Sequence, residues 1–281
     1  MLKFSSITPI PKSGSPSIVS NYRPISILSH IAKIFDSLVL NAIQPTANSI
    51  LDEEQHGFRP RRSTTTCNLV FSNYIYESFQ CQAQVDVIYI DFRKAFDSVN
   101  HTVLMHILKE SGFGEPLLSW FSSFLRDRYQ WVKVSDVKSN LFLASLGVPQ
   151  GSHLSPILFS LFINNLHRVF HHCCFLSFAD DINIYLRVST LDDSKKLQSN
   201  LNRFSNWFNT LGLTLNFPKC KIMTFTRSRS SLISQYFLNS KAVFRAVDCN
   251  TDLGFKLNSN LDPSNHIEHV CCKALKILGF I

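Results

Sequence analysis

Three aspartates lie where apolar segments end, and their positions suggest a cation-binding site. Asp91 follows the short, β-branched apolar run at residues 85–90, and Asp180 and Asp181 lie between two apolar half-strands. An unpaired buried carboxylate is costly, and three carboxylates brought together by adjacent strands would repel one another. Raised pKa values, a basic partner or metal ions must then relieve the repulsion. The other interpretation of Asp180 and Asp181 is an ordinary hairpin turn.

These carboxylates could act as ligands of divalent metal ions. Mg²⁺ prefers oxygen ligands and is usually held by one or two carboxylates together with substrate phosphates. Two such ions about 3.5–4 Å apart form the clamp used for in-line phosphoryl displacement. The aspartates therefore indicate phosphoryl-transfer chemistry, provided that the strands carrying Asp91 and Asp180 are neighbours.

The elements that must position these residues are a mixture of helices and strands. Apolar residues at helical spacing predict helices at residues 25–43, 63–79, 101–111, 115–127, 155–169 and 194–210. Short apolar or alternating runs predict strands at residues 85–90, 130–134, 174–179, 182–186, 213–215 and 221–226. Residues 141–148 can pair with the strand at 130–134. The pattern predicts an α+β fold.

Composition narrows the class of protein. Hydrophobic residues make up 45% of the 281 residues, which excludes general disorder. Lys and Arg number 28 against 20 Asp and Glu, and this net charge of +8 favours polyanionic partners such as nucleic acid. The eight cysteines show no disulfide framework, and neither a secretory signal nor a membrane span is visible. We expect an intracellular protein with reduced cysteines.

The aspartates lie within a set of motifs that follow one another in a fixed order. Asp91 lies in residues 89–97 (YIDFRKAFD), and the aspartate pair ends residues 178–181 (FADD). The other motifs are residues 21–26 (NYRPIS), 55–64 (QHGFRPRRST), 147–156 (GVPQGSHLSP), 211–219 (LGLTLNFPK) and 253–255 (LGF). In this order they resemble the fingers and palm motifs of non-LTR (LINE-type) retrotransposon reverse transcriptases, most of all the jockey-like group. The resemblance covers nearly the whole chain.

The resemblance implies a right-hand polymerase fold with fingers, palm and a truncated thumb. It assigns residues 1–84 and 117–150 to the fingers and residues 85–116 and 151–240 to the palm. Residues 241–281 are assigned to the palm–thumb junction and the start of the thumb. We expect the chain to be part of a longer polymerase, because such elements usually encode an endonuclease before the polymerase and more thumb sequence after it.

The resemblance also implies RNA-directed DNA synthesis, in which dNTPs are added to a DNA primer 3′-hydroxyl on an RNA template. Asp91 and Asp180 would be the principal ligands of two Mg²⁺ ions, for which Mn²⁺ can substitute, and Asp181 would support them. Lys219 would donate the proton to the leaving pyrophosphate, with Lys221 as a competing candidate. No protein partner and no membrane partner is predicted.

Three residues are expected to contact the incoming nucleotide. Phe96 occupies the steric-gate position, where a ring would collide with a ribose 2′-hydroxyl, although it can also be an ordinary core residue. Gln150 would flank the nucleotide, and Gly151 would leave room for it because glycine allows close backbone approach.

A basic cluster provides candidates for binding phosphate. Arg59 and Arg62 are expected to bind the nucleotide, and Arg61 the nucleic acid, because the planar arginine fork suits phosphate. The sequence does not rank the three, and a solvated surface loop is the alternative. Arg23 is a weaker candidate for nucleic-acid binding.

Two other functions stay open at this point. One is an intron-encoded maturase-type reverse transcriptase, which the absence of a visible maturase tail disfavours. The other is a catalytically silent remnant of a retroelement that still binds RNA through its basic surface. A primer-extension assay separates an active polymerase from a silent one.

Overall fold

Helices and strands alternate along the chain in the computed structural model, which describes residues 3–12, 14–228, 230–246 and 248–279. The helices are α1 (His30–Ile50), α2 (Thr64–Gln80), α3 (His101–Glu110), α4 (Leu117–Leu125), α5 (Ser155–Phe162), α6 (Leu191–Thr210) and α7 (Ser264–Ile277). The strands of the first half are β1 (Phe4–Pro11), β2 (Tyr22–Ile27), β3 (Gln84–Ile90), β4 (Arg128–Val134), β5 (Val137–Lys138) and β6 (Phe142–Ala144). Those of the second half are β7 (Cys174–Phe178), β8 (Asp181–Val188), β9 (Lys221–Phe225), β10 (Phe237–Leu238), β11 (Lys241–Ala242), β12 (Phe244–Arg245), β13 (Cys249–Asp252) and β14 (Phe255–Asn258).

Two compact units are formed from interleaved stretches of the chain. The first unit comprises Met1–Asp52, Lys94–Asn164 and Leu211–Leu213. The second comprises Glu53–Arg93, Asn165–Thr210 and Thr214–Ile281. The assignment of ranges to fingers, palm and thumb stays a prediction, and residues 247, 280 and 281 of the predicted thumb segment lie outside the described residues.

A mixed sheet organises the first unit. Strand β1 pairs antiparallel with β2 and parallel with β4, and β5 and β6 each pair antiparallel with β4. Along β1 the side chains of Ser5 and Ile7 are buried while Phe4 and Thr8 are exposed, the alternation expected of a sheet with one covered face. Helix α1 begins after Ser29, whose hydroxyl accepts a hydrogen bond from the Ala32 amide.

The second unit is built around a five-stranded sheet with the order β12-β9-β3-β8-β7. The central strand β3 pairs antiparallel with both β8 and β9, and all seven of its residues are buried. Helix α2 contributes Phe71 to the core, where its ring meets Tyr185 and Phe225 edge to face. Helix α6 packs against β8 and buries a helical stripe made of Leu197, Leu201, Phe204 and Phe208.

Three predicted elements are wrong in type or extent. Residues 25–27, predicted as helix, belong to β2 because they pair with β1, and α1 starts only at His30. The predicted helix at 155–169 ends at Phe162, and the Asn164 side chain instead bonds the Asp52 amide and the Ile50 carbonyl. Residues 213–215 form no strand, since Leu215 makes only an isolated bridge with Phe92.

The other predicted elements are confirmed within a few residues, including the helix at 63–79, the buried strand at 85–90 and the hairpin of β7 and β8. None of the helices in the described part of the chain combines the length and the apolar character needed to span a bilayer.

Candidate functional site

The predicted aspartates come together at one end of the sheet in the second unit. Strands β3 and β8 pair so that Ile90 lies opposite Ile182. Asp91 directly follows Ile90, and Asp181 directly precedes Ile182. Because the two strands are antiparallel, both aspartates lie at the same end of the sheet. Asp180 lies in the tight turn between β7 and β8, where Phe178 pairs with Asp181.

A cavity of about 450 Å³ opens beside these carboxylates. Asp91 and Asp181 line it together with Lys219 and Lys221, whereas the half-buried Asp180 does not. The cavity therefore brings two of the three predicted acids together with both of the predicted proton donors.

Burial and neighbouring carboxylates together set the protonation of Asp181 in this cavity. The pKa of Asp181 is raised to about 7, first by shielding from water and then by the charges of Asp180, Asp252 and Asp91. Lys219 acts in the opposite direction, and its Nζ lies 4.0 Å from Asp91 Oδ1. Asp181 nevertheless keeps an exposed side chain, so a cation can reach it from solvent.

A short segment after α6 fixes Asp91 and delivers Lys219. The Asn216 amide donates to the Asp91 carbonyl at 2.8 Å, and the Arg93 amide donates to the Thr214 carbonyl at 2.8 Å. A single 3-10 turn, Phe217–Lys219, then follows and carries Lys219 to the acidic side of the cavity. Backbone pairing thus accounts for the proximity of two residues that are far apart in sequence.

Sequence reasoning missed four polar residues of the cavity: Asn183, Asn250, Thr251 and Asp252. The Asn183 amide nitrogen donates to Asp252 Oδ2 at 2.6 Å, and burial raises the pKa of Asp252. Asp252 directly precedes the LGF motif at residues 253–255, which was the one available signal. Asp252 ends β13, whose pairing with β14 the local sequence pattern did not reveal.

The donor set of the cavity fits a hard divalent cation. Its acidic groups are all carboxylates, the oxygen ligands that Mg²⁺ prefers, and their repulsion is offset by a single ammonium group within ion-pair distance of Asp91. Across the described residues, however, no three His, Cys, Asp or Glu side chains are already grouped as a metal site. The carboxylates therefore share one cavity without being preassembled around an ion.

The three arginines of the basic cluster differ in their partners. Arg59 and Arg62 both form ion pairs with Glu53, and Arg62 Nη1 lies 3.1 Å from Nε2 of His56. Burial and the two arginines lower the pKa of His56 to about 4, with Glu53 opposing them, so the neutral ring accepts from Arg62. Arg61 has a left-handed backbone and an exposed side chain, which makes it the arginine most open to solvent.

The segment before this cluster holds the aspartate hairpin in place. The His56 amide donates to the Ser177 carbonyl at 2.8 Å, and the Ser177 amide donates to the Glu54 carbonyl at 2.9 Å. Gly57 lies against the turn so closely that a Cβ there would stand 2.3 Å from the Ala179 amide nitrogen. Close backbone approach explains the glycine, and it ties residues 55–64 to the position of Asp180.

The predicted nucleotide-binding residues Phe96, Gln150 and Gly151 lie in the first unit. They line a cavity of about 190 Å³ together with Ser152, Ser155 and Pro156. The half-buried Phe96 ring stacks on Phe159 with centroids 4.5 Å apart. The structure thus brings together Phe96, from the motif at 89–97, and Gln150 and Gly151, from the motif at 147–156.

Hydrogen bonds set the shape of this second cavity. Gln150 Nε2 donates to Asp97 Oδ1 at 2.9 Å, and the Ser26 amide donates to the Gln150 carbonyl at 2.7 Å. Gly151 has φ 128°, and a Cβ there would stand 2.4 Å from the Ser26 carbonyl oxygen, so a larger residue would force the loop away. Arg23 is exposed on β2 of the same unit, opposite Ile10.

Comparisons with known proteins identify the family of this chain. The family model described as "Reverse transcriptase (RNA-dependent DNA polymerase)" matches residues 10–281. The chain is 29% identical over 279 residues to the RNA-directed DNA polymerase from mobile element jockey of Drosophila melanogaster, covering 95% of this chain and 30% of that protein. It is 30% identical over 235 residues to the probable RNA-directed DNA polymerase from transposon BS of the same species, covering 80% and 26%.

The chain thus spans roughly a quarter to a third of the length of the curated relatives that it matches. Among solved structures, apo telomerase from Candida tropicalis, truncated from the C-terminal domain, superposes with a TM-score of 0.64. That similarity covers 93% of this chain and 54% of the telomerase chain at 16% identity. At this identity it shows that the two chains share a fold.

Proposed function

The chain belongs to the reverse transcriptase (RNA-dependent DNA polymerase) family, and on that premise we propose that it is the polymerase part of a non-LTR retrotransposon protein. Its reaction is the addition of dNTPs to a DNA primer 3′-hydroxyl on an RNA template. The observation that carries the proposal is the meeting of Asp91, Asp181 and Lys219 at one cavity, with Asp180 in the adjoining turn.

Asp91 and Asp180, supported by Asp181, would hold two Mg²⁺ ions, for which Mn²⁺ can substitute. Such ions supply a lower pKa for the primer hydroxyl and neutralise charge on the triphosphate. Burial and the charges of neighbouring carboxylates raise the pKa of Asp181, which supports this assignment because a bound divalent cation would relieve the repulsion among them.

Lys219 would act on the leaving group. Its side chain is 65% exposed, and Asp91 holds the ammonium group at the acidic side of the cavity. From there Nζ would donate a proton to the oxygen of the departing pyrophosphate. Lys221 lines the same cavity and is the competing donor.

The residues in the first unit would select and orient the nucleotide. Phe96 would exclude a 2′-hydroxyl, Gln150 would flank the base and sugar, and Gly151 would leave room for them. Their shared cavity of about 190 Å³ supports this division of roles. Arg59 and Arg62 would neutralise the triphosphate, and the exposed Arg61 and Arg23 would contact phosphates of the nucleic acid.

Primer extension on an RNA template with dNTPs and Mg²⁺ tests the proposal. We expect the chain to extend a DNA primer and Asp180→Asn to slow extension by roughly 10²–10³, the cost of removing a comparable electrostatic stabiliser. RNA binding should stay nearly intact, because Asp180 is not a phosphate contact. The exposed Asp136→Asn variant is the matched control.

Extension by Asp180→Asn at the rate of the control would rule out Asp180 as a ligand. RNA binding with no extension by the unaltered chain would favour the other candidate function, a catalytically silent nucleic-acid-binding remnant.

A further inference from the structure

A third cavity, also in the first unit, has no role in the chemistry described above. It lies between β1, α1, α4 and the start of β4, and its volume is about 140 Å³. It shares no lining residue with the cavity at Phe96. An engineered cavity of about 150 Å³ in another protein holds one benzene molecule, so this cavity has room for one six-membered ring.

Three aromatic rings form the mouth of the cavity. The Phe35 ring lies 5.8 Å from Trp120, and Trp120 stacks on Phe124 at 5.3 Å with 16° between the ring planes. Phe35 is 45% exposed although it is large and apolar, and Trp120 and Phe124 are half-buried. Exposed aromatic faces of this kind stack on planar rings, and every nucleobase offers such a face.

The floor of the cavity is polar and buried. Asp36 Oδ2 accepts from the Ser152 hydroxyl at 2.5 Å, and Oδ1 is the second acceptor oxygen of the same carboxyl group. The Arg128 guanidinium donates through Nη2 to the Gly147 carbonyl at 2.7 Å. Its buried Nη1 has no partner among the described residues. Buried polar groups are normally hydrogen-bonded, so this floor retains both acceptor and donor capacity.

A cation is present where a phosphate would emerge. Lys3 is half-exposed at the edge of the cavity, and its Nζ lies 3.9 Å from Asp127, a carboxylate that is 75% exposed. Exposed ion pairs of this length contribute little, so Lys3 remains available to an anion. A ligand with a planar ring inside the cavity and a negative charge near Lys3 has the chemistry of a nucleotide.

We propose that this cavity binds the base of one pyrimidine nucleotide, stacked on Phe35 and Trp120 with its edge towards Asp36 and Arg128. Among pyrimidines, uracil carries carbonyl acceptors on either side of its N3–H donor, which suits a floor with one donor and one acceptor. A purine brings a second fused ring, for which a cavity of about 140 Å³ leaves less room. Unstacked bases held by aromatic rings and read along their edges are typical of single-stranded RNA recognition.

The base can come from an RNA strand or from a free nucleotide, and the choice of an RNA ligand rests on the proposed function. Equilibrium dialysis of the whole chain with labelled uridine monophosphate, without divalent cation, measures binding directly. We expect saturable binding at millimolar concentration, with guanosine monophosphate at least fivefold weaker. Displacement of the labelled uridine monophosphate by a short oligouridylate but not by an abasic strand identifies an RNA base as the ligand. Displacement by free pyrimidine nucleotides alone identifies a free nucleotide. Both results support the site.

Variants assign this binding to the cavity. Phe35→Ala should weaken uridine monophosphate binding by about fivefold or more, the lower end of the cost of losing one base–aromatic stack. Phe35→Leu keeps an apolar side chain and should show the same loss. Phe4→Ala is the control, because Phe4 is 43% exposed in the same unit and does not line the cavity.

Absence of saturable binding, equal affinity for guanosine monophosphate, or unchanged binding in both Phe35 variants would overturn the site. The measurement needs no catalysis. Failure of the site and failure of the polymerase proposal are therefore distinguishable, because primer extension reports on the second alone.

Discussion

Neighbouring charges determine which predicted residues are available to a ligand. Shielding from water, and then the charges of three neighbouring carboxylates, raise the pKa of Asp181 to about 7. Arg59 and Arg62 each form an ion pair with the exposed Glu53, whereas Arg61 is exposed and forms no ion pair within the described part of the chain. Residues that look equivalent in the sequence therefore differ in what they can bind.

The Phe96 ring is the residue to alter in a test of sugar selection. Phe96→Val should raise ribonucleotide incorporation relative to deoxynucleotide incorporation by roughly 5- to 150-fold, because overpacking costs of about 1–3 kcal/mol would be relieved. Single-nucleotide extension with dNTP and rNTP side by side measures the ratio. Phe142→Val, at an exposed site in the same unit, is the control. An unchanged ratio in a folded, active Phe96→Val protein would make Phe96 a core residue.

Substitution of Arg62 should lower the stability of the fold, whereas substitution of Arg61 should weaken nucleic-acid binding. Arg62→Ala removes the donor to the buried Nε2 of His56 and should lower the free energy of unfolding by about 1–3 kcal/mol. Arg61→Ala should leave stability unchanged and reduce the salt slope of RNA binding by about 0.7, the value for one single-strand phosphate contact. Urea unfolding and binding at several salt concentrations measure both. Equal stability of the two variants, or an unchanged slope for Arg61→Ala, would contradict this division.

Pairing between distant elements determines where the catalytic candidates lie. The antiparallel register of β3 with β8 aligns Asp91 with Asp181, and residues 214–216 pair with residues 91–93 to deliver Lys219. Residues 54–56 in turn hydrogen-bond β7 through Ser177. The position of the acidic cavity therefore depends on three separate contacts with strands that local patterns predict only as isolated segments.

Gly57 offers a test of this coupling between elements. Gly57→Ala would place a Cβ 2.3 Å from the Ala179 amide nitrogen, so either residues 55–57 or the hairpin turn must shift. We expect a stability loss of about 1–3 kcal/mol, typical of overpacking, and primer extension slower than in the control. Gly114→Ala is that control, because its Cβ meets nothing within 4 Å. If the two variants behaved alike in urea unfolding and extension, the contact with the hairpin would not matter.

The molecule as a whole is basic, with a net charge of +8, yet the second unit concentrates carboxylates at one cavity. A basic surface attracts polyanions over a long range, while a local acidic cluster attracts cations. The contrast suits a protein that binds nucleic acid broadly and binds divalent cations at one place.

Divalent cations should therefore stabilise the folded chain. A cation at ten times its dissociation constant adds about 1.4 kcal/mol, which corresponds to a rise in Tm of about 3–6 °C for a chain of this size. Thermal unfolding with Mg²⁺, against NaCl at equal ionic strength, measures the rise. The double variant Asp91→Asn, Asp180→Asn should lose it. An equal rise in that variant would place the cation elsewhere.

The amino-acid sequence by itself determined the family, the α+β class and the identity of the candidate residues. The resemblance to jockey-like reverse transcriptases is confirmed by the family match and by the relatives in Drosophila melanogaster. Motifs such as residues 89–97 and 178–181 are local, so they are readable without any knowledge of which segments meet. The buried strand β3 was likewise visible because a continuous apolar run needs no partner to be recognised.

Tertiary structure alone decided which side chains share a cavity and which form ion pairs or hydrogen bonds with one another. Asp252 joins Asp181 from a strand about 70 residues further along the chain, and Glu53 forms ion pairs with Arg59 and Arg62. Asn164 ends a helix early by bonding the end of α1. Hydrogen bonds and Coulomb forces act over a few ångströms of space rather than along the sequence, so only the fold sets the distances that determine these contacts and pKa values.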